Sequence, residues 1–159
     1  MGRIEKLTLY SLVLLLVWGN MVSGLGAGLA CPDWPLCFGS FFPEINFPIF
    51  MEHGHRVLGL FVTIFFAFLA RKRLKLYKGA YKLIPIICSI LLAVQIIAGA
   101  LVVILQLETN ITTFHFGNAI IIFILIYIMC KYTDSDKLKL VNIFNKKNIP
   151  FFFYLFIGN

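Results

Sequence analysis

The chain has 159 residues, of which 60% are hydrophobic and only 13% are charged. This apolar fraction is well above that of soluble domains, so the composition excludes a water-soluble protein and predicts an integral membrane protein. The length is too short for two soluble domains of typical size and predicts a single bundle. The net charge of +7 does not indicate a nucleic-acid partner, because nearly all of the cations flank apolar segments, where they determine membrane topology.

Four apolar segments follow one another along the chain. They cover residues 7–24, 55–70, 83–105 and 114–130. A membrane-spanning helix needs about 20 apolar residues, so we expect the shorter second and fourth segments to extend into their flanks. We therefore predict an all-α membrane protein: a four-helix transmembrane bundle over residues 1–131, with a tail over residues 132–159 that is cytoplasmic or lies in the membrane interface.

The distribution of Lys and Arg predicts the orientation of this bundle. All of the 14 cations except Arg56 lie before the first segment, between the second and third, or after the fourth. The loops at 25–51 and 106–113 carry no Lys or Arg. By the positive-inside rule both termini are cytoplasmic and the 25–51 loop is outside. We expect a multi-pass protein of the plasma membrane.

A cysteine pair lies in the long outer loop, within the sequence CPDWPLC, which runs from Cys31 to Cys37. The two prolines restrict the backbone between the cysteines, and an outward-facing pair is expected to be oxidised rather than free. Two interpretations remain open from the residues alone. The pair is either a structural staple for the loop or a redox-active dithiol.

Two histidines, His55 and His115, occupy similar depths in the second and fourth segments. Both segments enter from the outer side, so their helices are parallel, and intramembrane ionisable residues usually face the bundle interior. Helix bundles commonly build cofactor sites from side chains on facing helices. The pair is consistent with the two axial ligands of a haem iron. A zinc site with further ligands from His53 and Glu52 is the alternative.

Three further polar residues accompany these histidines. Arg56 is predicted either to pair with Glu52 at i,i+4 or to balance an acidic cofactor group such as a haem propionate. Glu52 is predicted either to complement the helix macrodipole in the first turn or to act as a proton acceptor or donor. Gln95, close to Gly99 in the third segment, must find a hydrogen-bond partner within the bundle or on another copy.

In these features the chain resembles the haem A synthase family. The matching positions cover nearly all of the sequence up to Cys130. They are the CPDWPLC loop, the Glu-x-x-His-Arg motif at Glu52, His55 and Arg56, the Gln-x-x-x-Gly stretch at Gln95 and Gly99, and the His-x-x-x-Ala motif at His115 and Ala119. The resemblance implies oxidation of a haem O methyl group to the formyl group of haem A, for terminal oxidases. It also implies a Cys31–Cys37 disulfide, catalysis by Glu52 and haem binding by His55 and His115, and we expect Arg56 and Gln95 to contribute to the haem site.

The chain differs from most members of that family in length. Those members are expected to have eight helices in two halves, each with a histidine pair, one half for substrate haem and the other for a haem b cofactor. This chain resembles the N-terminal half. A homo-oligomer could restore a second haem site, one site could serve both purposes, or a partner could supply the other site. We expect a dimer or trimer with one haem in each copy, and haem O synthase or an electron donor as a further partner.

Two other functions remain as alternatives. A membrane subunit that transfers electrons through a bis-histidine haem would need the same histidine pair. A membrane thiol oxidoreductase would use the outer cysteines, but that chemistry normally requires a second outer pair.

Overall fold

The structure, a computed structural model, describes residues 1–134 and is built from four α-helices. These are α1 (Arg3–Gly24), α2 (Phe47–Leu76), α3 (Leu83–Ile104) and α4 (Thr109–Lys131), and a short 3-10 turn at Gly79–Lys82 leads into α3. The described residues form no β-strand beyond one isolated bridge between Cys37 and Ser40. The all-helical class is therefore confirmed. The predicted tail at 132–159 lies outside the described residues from residue 135 onwards.

The second helix is longer than its apolar core. α2 runs over 30 residues and begins at Phe47, so residues 47–51 are helical and the prediction that the loop extends to residue 51 is wrong. The cause is local. The Asn46 side chain accepts a hydrogen bond from the Ile49 N–H at 3.0 Å and caps the helix, and Pro48 occupies the first turn, where its missing N–H has no cost.

Glu52 therefore lies beyond the first turn of α2, in which there is no acidic residue. The favourable interaction of an acidic side chain with the helix macrodipole is confined to that turn. The macrodipole explanation of Glu52 does not apply, and its role has to come from the contacts that it makes.

Three helices are long and apolar enough to cross a membrane: α1, α4, and α3 together with its leading turn. The mean hydropathy of the most apolar stretch is 1.6 in α1, 2.8 in α3 with its leading turn, and 2.0 in α4. The longest helix, α2, is not among these three, and it carries charged residues near both ends, from Glu52 and Arg56 to Arg71 and Lys75. The chain is thus a membrane protein by these three helices, and the crossing of α2 stays a prediction.

The helices pack as two pairs. α1 lies mainly against α2 and α3 mainly against α4, a contact between α1 and α4 joins the pairs, and α2 approaches α3 only loosely. One end of the bundle, which we call the basic end, carries Lys72, Arg73 and Lys131. The opposite end, which carries the Cys31–Cys37 loop, is called the loop end.

The main hydrophobic core fills the half of the bundle next to the basic end. Its buried members include Leu12, Val62, Phe66, Leu69, Ile122, Ile126 and Met129 from α1, α2 and α4, together with Tyr77 just after α2 and Ile84 and Cys88 of α3. At the loop end the buried apolar side chains of α3 are small, namely Ala98, Ala100 and Val103. His55 and His115 lie in this less densely filled half.

A buried ion pair connects three helices at the basic end. Arg73 of α2 is fully buried and donates to the Glu5 carboxylate of α1 at 2.8 Å and to the Met129 carbonyl of α4 at 2.7 Å. Lys72 donates to the same Glu5 oxygen at 2.8 Å. These contacts hold the basic end together through charge-assisted hydrogen bonds.

Candidate functional site

A disulfide joins Cys31 to Cys37, and both residues are fully buried within the loop. The Asp33 carboxylate accepts hydrogen bonds from the Phe38 and Gly39 N–H groups at 2.7 and 2.8 Å. The bond from Gly39 is the main reason that the pKa of Asp33 is lowered from its usual value. Phe38 and Gly39 have φ angles of 53° and 71°, so the carboxylate stabilises a left-handed turn that closes the loop.

Arg56 fastens this loop to α2. Its Nη1 donates to the carbonyl oxygens of Asp33 and Leu36, both at 2.6 Å, and its Nη2 donates to the Cys31 carbonyl at 3.3 Å and to the Glu52 carboxylate. The predicted i,i+4 ion pair with Glu52 is therefore present. Within residues 1–134, the hydrogen bonds that Arg56 donates go to carbonyl oxygens of the loop and to the Glu52 carboxylate.

Glu52 completes the attachment from its other oxygen. Oε2 accepts a hydrogen bond from the Cys31 N–H at 2.7 Å, while Oε1 faces Arg56. The residue is only 4% exposed, and a buried carboxylate is stable only when it is paired and hydrogen-bonded. Glu52 and Arg56 together hold the disulfide loop against the beginning of α2.

His53 lies on the other side of the same turn. Its Nε2 is 3.0 Å from the Phe41 carbonyl oxygen, and its ring lies near the Cys31–Cys37 sulfurs. These three side chains are the one grouping of potential metal ligands within residues 1–134. Zinc binds thiolates, whereas the sulfurs here are in a disulfide. With both oxygens of Glu52 also engaged, the contacts favour a haem over the zinc alternative.

His55 projects from α2 towards α1, where Gly19 makes room for it. A Cβ atom at Gly19 would lie 2.7 Å from His55 Cε1, so a side chain at this position would force the imidazole to move. The Nδ1 atom of His55 is buried and has no hydrogen-bond partner. Close helix approach at small residues is the usual packing mode in membranes.

His115 has a matching arrangement on the other pair of helices. A Cβ atom at Gly99 of α3 would lie 3.1 Å from His115 Cε1, and the Nδ1 atom of His115 is likewise buried without a partner. Both predicted ligands therefore lie beside a glycine of a neighbouring helix, and their joint binding of one iron stays a prediction.

Gln95 fixes the position of His115. Its amide nitrogen donates to the His115 carbonyl oxygen at 3.0 Å and lies 3.1 Å from the His115 Nε2 atom. Asn118 in turn donates to the Gln95 Oε1 atom at 2.8 Å and to the Leu91 carbonyl at 3.0 Å. The hydrogen-bond partner that Gln95 requires is therefore within the same chain.

Two contributors were missed by the sequence reasoning, Asn118 and Gly19. Asn118 follows His115 by three residues and so shares its helix face, and an amide in an apolar helix must find a partner. The role of Asn118 could therefore have been predicted from the sequence. The role of Gly19 could not, because it depends on where the His55 ring lies across the α1–α2 contact.

The disulfide leads to a testable expectation. Cys31→Ser or Cys37→Ser should each lower the free energy of unfolding by about 2 kcal/mol, the usual effect of opening a short loop, and should reduce haem retention. Activity per bound haem should remain, because buried sulfurs are poor partners for thiol exchange. Mass spectrometry after alkylation of unfolded, unreduced protein should label only Cys88 and Cys130, the free cysteines among residues 1–134. Labelling of Cys31 and Cys37 in that sample, or lost activity with full haem content, would contradict the staple.

Comparison with known proteins gives the family. No protein-family model and no solved structure matches the chain. The haem A synthase of Bacillus pumilus is 31% identical over 124 residues, which cover 76% of this chain and 40% of that protein. The haem A synthase of Staphylococcus haemolyticus is 33% identical, over 70% of this chain and 38% of that protein. The haem A synthase of Bacillus licheniformis is 26% identical, over 91% of this chain and 50% of that protein. The chain thus spans half or less of the length of these curated relatives, and by this similarity it belongs to the haem A synthase family.

Proposed function

We propose that this protein binds haem and acts in haem A biosynthesis, by oxidising the methyl group of haem O to a formyl group. One observation carries the proposal: two half-buried imidazoles on different helices, each beside a glycine and each with a buried Nδ1 atom that has no hydrogen-bond partner. The similarity to haem A synthases over most of the chain supports the same role. The test is an absorption spectrum of the purified protein, which should show a bis-histidine haem, together with extraction of the pigment.

The residues present fit a haem. His55 and His115 would hold the iron, and the small residues Gly19 and Gly99 make room for the two rings themselves. Gln95 can keep its bond to the His115 carbonyl when the imidazole is given to the metal, so it would hold this ligand in place on α4. When bound, the haem supplies the redox-active iron. The same site would take haem b, or haem O and haem A as substrate and product.

The proposal gives Arg56 and Glu52 linked roles. Arg56 is a positioning residue, because its guanidinium holds the loop carbonyls and Glu52 and so acts on the site through them. Glu52 is proposed to accept or release the proton that the oxidation requires. Its Oε1 atom lies against the Arg56 guanidinium and its Oε2 atom accepts from the Cys31 N–H.

Glu52→Gln separates binding from chemistry. We expect the variant to keep its haem content, because a glutamine oxygen can still accept from the Cys31 N–H. We expect haem A formation to fall by at least about a hundredfold, the low end of the range for removing a general acid or base. The measurement is the ratio of haem A to total haem in pigment extracted from the purified protein. The matched control is Glu44→Gln, which changes an exposed glutamate of the same loop and should form haem A normally. A fully active Glu52→Gln protein would remove the proton-transfer role.

A haem electron-transfer subunit is the second candidate. It is favoured by the observation that both Glu52 oxygens already have partners within the protein, as a purely structural carboxylate would. In that case pigment extraction should yield haem b without haem A or its hydroxylated precursor. The thiol oxidoreductase alternative is disfavoured by the complete burial of both cysteines.

The orientation of the chain is proposed from its charges. Both termini are placed in the cytoplasm and the Cys31–Cys37 loop outside the plasma membrane, because the cations gather at the basic end. Reporter fusions after Asn159 and within residues 38–47 should report cytoplasmic and outer locations, respectively. An outer location for Asn159 would overturn both the topology and the crossing of α2.

Self-association is proposed as well. Many large apolar side chains of the helices are exposed, including Leu14, Leu60 and Ile97. We propose a closed dimer or trimer with one haem in each copy. Native mass spectrometry of the full chain should show that species, and a monomer would refute it. Haem O synthase and a separate electron donor are the proposed partners outside the oligomer.

A further inference from the structure

A groove of about 640 Å³ separates α2 from α3 in the half of the bundle next to the basic end. Its walls are apolar and include Phe66, Leu74, Leu92 and Ile96. The groove lies where α2 approaches α3 only loosely. It is open at the surface of the bundle.

Two hydroxyl groups line the groove without offering a free donor to it. Thr63 donates to the Gly59 carbonyl at 2.9 Å, and Ser89 donates to the Pro85 carbonyl at 2.7 Å. Each hydroxyl is thus satisfied by its own helix, as is usual for Ser and Thr in apolar helices. The long part of the groove is therefore suited to a hydrocarbon chain.

The basic end of the groove carries two cations, Arg71 and Lys75, which lie one turn apart on α2. Their sequence neighbours Lys72 and Arg73 are bound to Glu5. Within residues 1–134, neither Arg71 nor Lys75 has a carboxylate partner. The groove thus ends in two unpaired positive charges that are exposed.

The length of the groove matches one leaflet of a bilayer. Thr63 and Lys75 are twelve residues apart on α2, which corresponds to about 18 Å along a helix axis. Half of the hydrocarbon thickness is about 15 Å. A chain that begins at the headgroup level of Arg71 and Lys75 would therefore reach the far end of the groove near the middle of the membrane.

We propose that this groove binds one anionic phospholipid, with its phosphate between Arg71 and Lys75 and an acyl chain along the apolar walls. Basic pockets between transmembrane helices are suited to anionic headgroups, and Arg binds phosphate through paired N–H donors. A helix from a second copy would be a poorer occupant, since it would leave these two cations against an apolar surface. The site is separate from the histidine pair and does not depend on the proposed function.

The test uses the full chain, purified and stripped of lipid, and titrated with phosphatidylglycerol or phosphatidylcholine of the same acyl composition. Native mass spectrometry should show one phosphatidylglycerol retained and no comparable retention of phosphatidylcholine. Arg71→Ala with Lys75→Ala should weaken this binding about tenfold or more, because each cation contributes separately to headgroup attraction. Ala93→Phe, which fills the groove without a change in charge, should weaken it as well.

Two matched controls separate the groove from general attraction to a basic surface. Lys78→Ala with Lys82→Ala removes the same charge outside the groove, and Ile97→Phe enlarges a side chain on α3 that is 60% exposed and does not line it. Both should bind phosphatidylglycerol like the unaltered chain. Equal weakening by the two double variants, or displacement of the lipid by glycerol phosphate alone, would overturn the proposal. A shift from oligomer to monomer in Ala93→Phe with no change in lipid binding would assign the groove to a second copy instead.

Discussion

His55→Ala or His115→Ala should reduce the haem content of the purified protein by at least about tenfold, which corresponds to a loss of roughly 1.4 kcal/mol or more in binding. Each substitution would remove one of the two ligands proposed for the iron, and each ring is buried with an unpaired nitrogen that no other side chain serves. The measurement is the ratio of haem to protein from the absorption spectrum and a pigment assay. Methionine at either position should alter the low-spin spectrum instead of preserving it, because a thioether is a different axial ligand.

His53→Ala is the matched control for both variants. His53 lies two residues from His55, but its Nε2 faces the Phe41 carbonyl in the loop. We expect its loss to leave the spectrum unchanged. A normal haem spectrum in both the His55 and His115 variants would dispose of the ligand assignment, and an equal loss in all three would indicate a general effect on folding.

Arg73→Ala should be among the most destabilising single substitutions in the chain, with a loss of about 3–5 kcal/mol in the free energy of unfolding. The reason is that Glu5 would keep only Lys72 as a partner for its buried charge, and the Met129 carbonyl would lose its donor. Glu5→Ala should have an effect at least as large, because it leaves the fully buried arginine without its carboxylate. Thermal unfolding of the purified protein in detergent measures both.

Lys6→Ala is the control for this pair, since it removes an exposed charge next to Glu5 in the sequence and should change stability by less than about 0.5 kcal/mol. The double variant Glu5→Leu with Arg73→Leu tests the cause. It should be more stable than either single alanine variant, because apolar residues often replace a buried ion pair at little cost. A double variant that loses the sum of the two single losses would show that the two side chains act independently.

The four helices could be predicted from the sequence because each has an apolar run close to the length of a membrane span. The start of α2 could not be placed by hydrophobicity, since it depends on the Asn46 cap and Pro48, which are local signals of a different kind. The similar depths of His55 and His115 could be predicted from the sequence, whereas their pairing around one iron stays a prediction.

Other contacts depend on residues distant in the sequence. Glu5 and Arg73 are 68 residues apart. The pattern of apolar residues does not indicate which charged side chains on different helices will form an ion pair. Of the two contacts predicted as alternatives for Arg56, the ion pair with Glu52 follows from the i,i+4 spacing and is present. The loop carbonyls that take its other hydrogens were accessible only from the structure.

The uneven distribution of the hydrophobic core, dense at the basic end and sparse around the histidines, gives the two halves of the bundle different local stabilities. Amide hydrogen exchange in the ligand-free chain should then be slow around Leu69 and Ile126 and faster near Gly99 and Gly117. A prosthetic group that binds only the folded form adds stability by mass action, and here it would protect the fast-exchanging half selectively. The densely packed half next to the basic end would thus be folded before the prosthetic group binds. Binding would then order the half that surrounds the histidines.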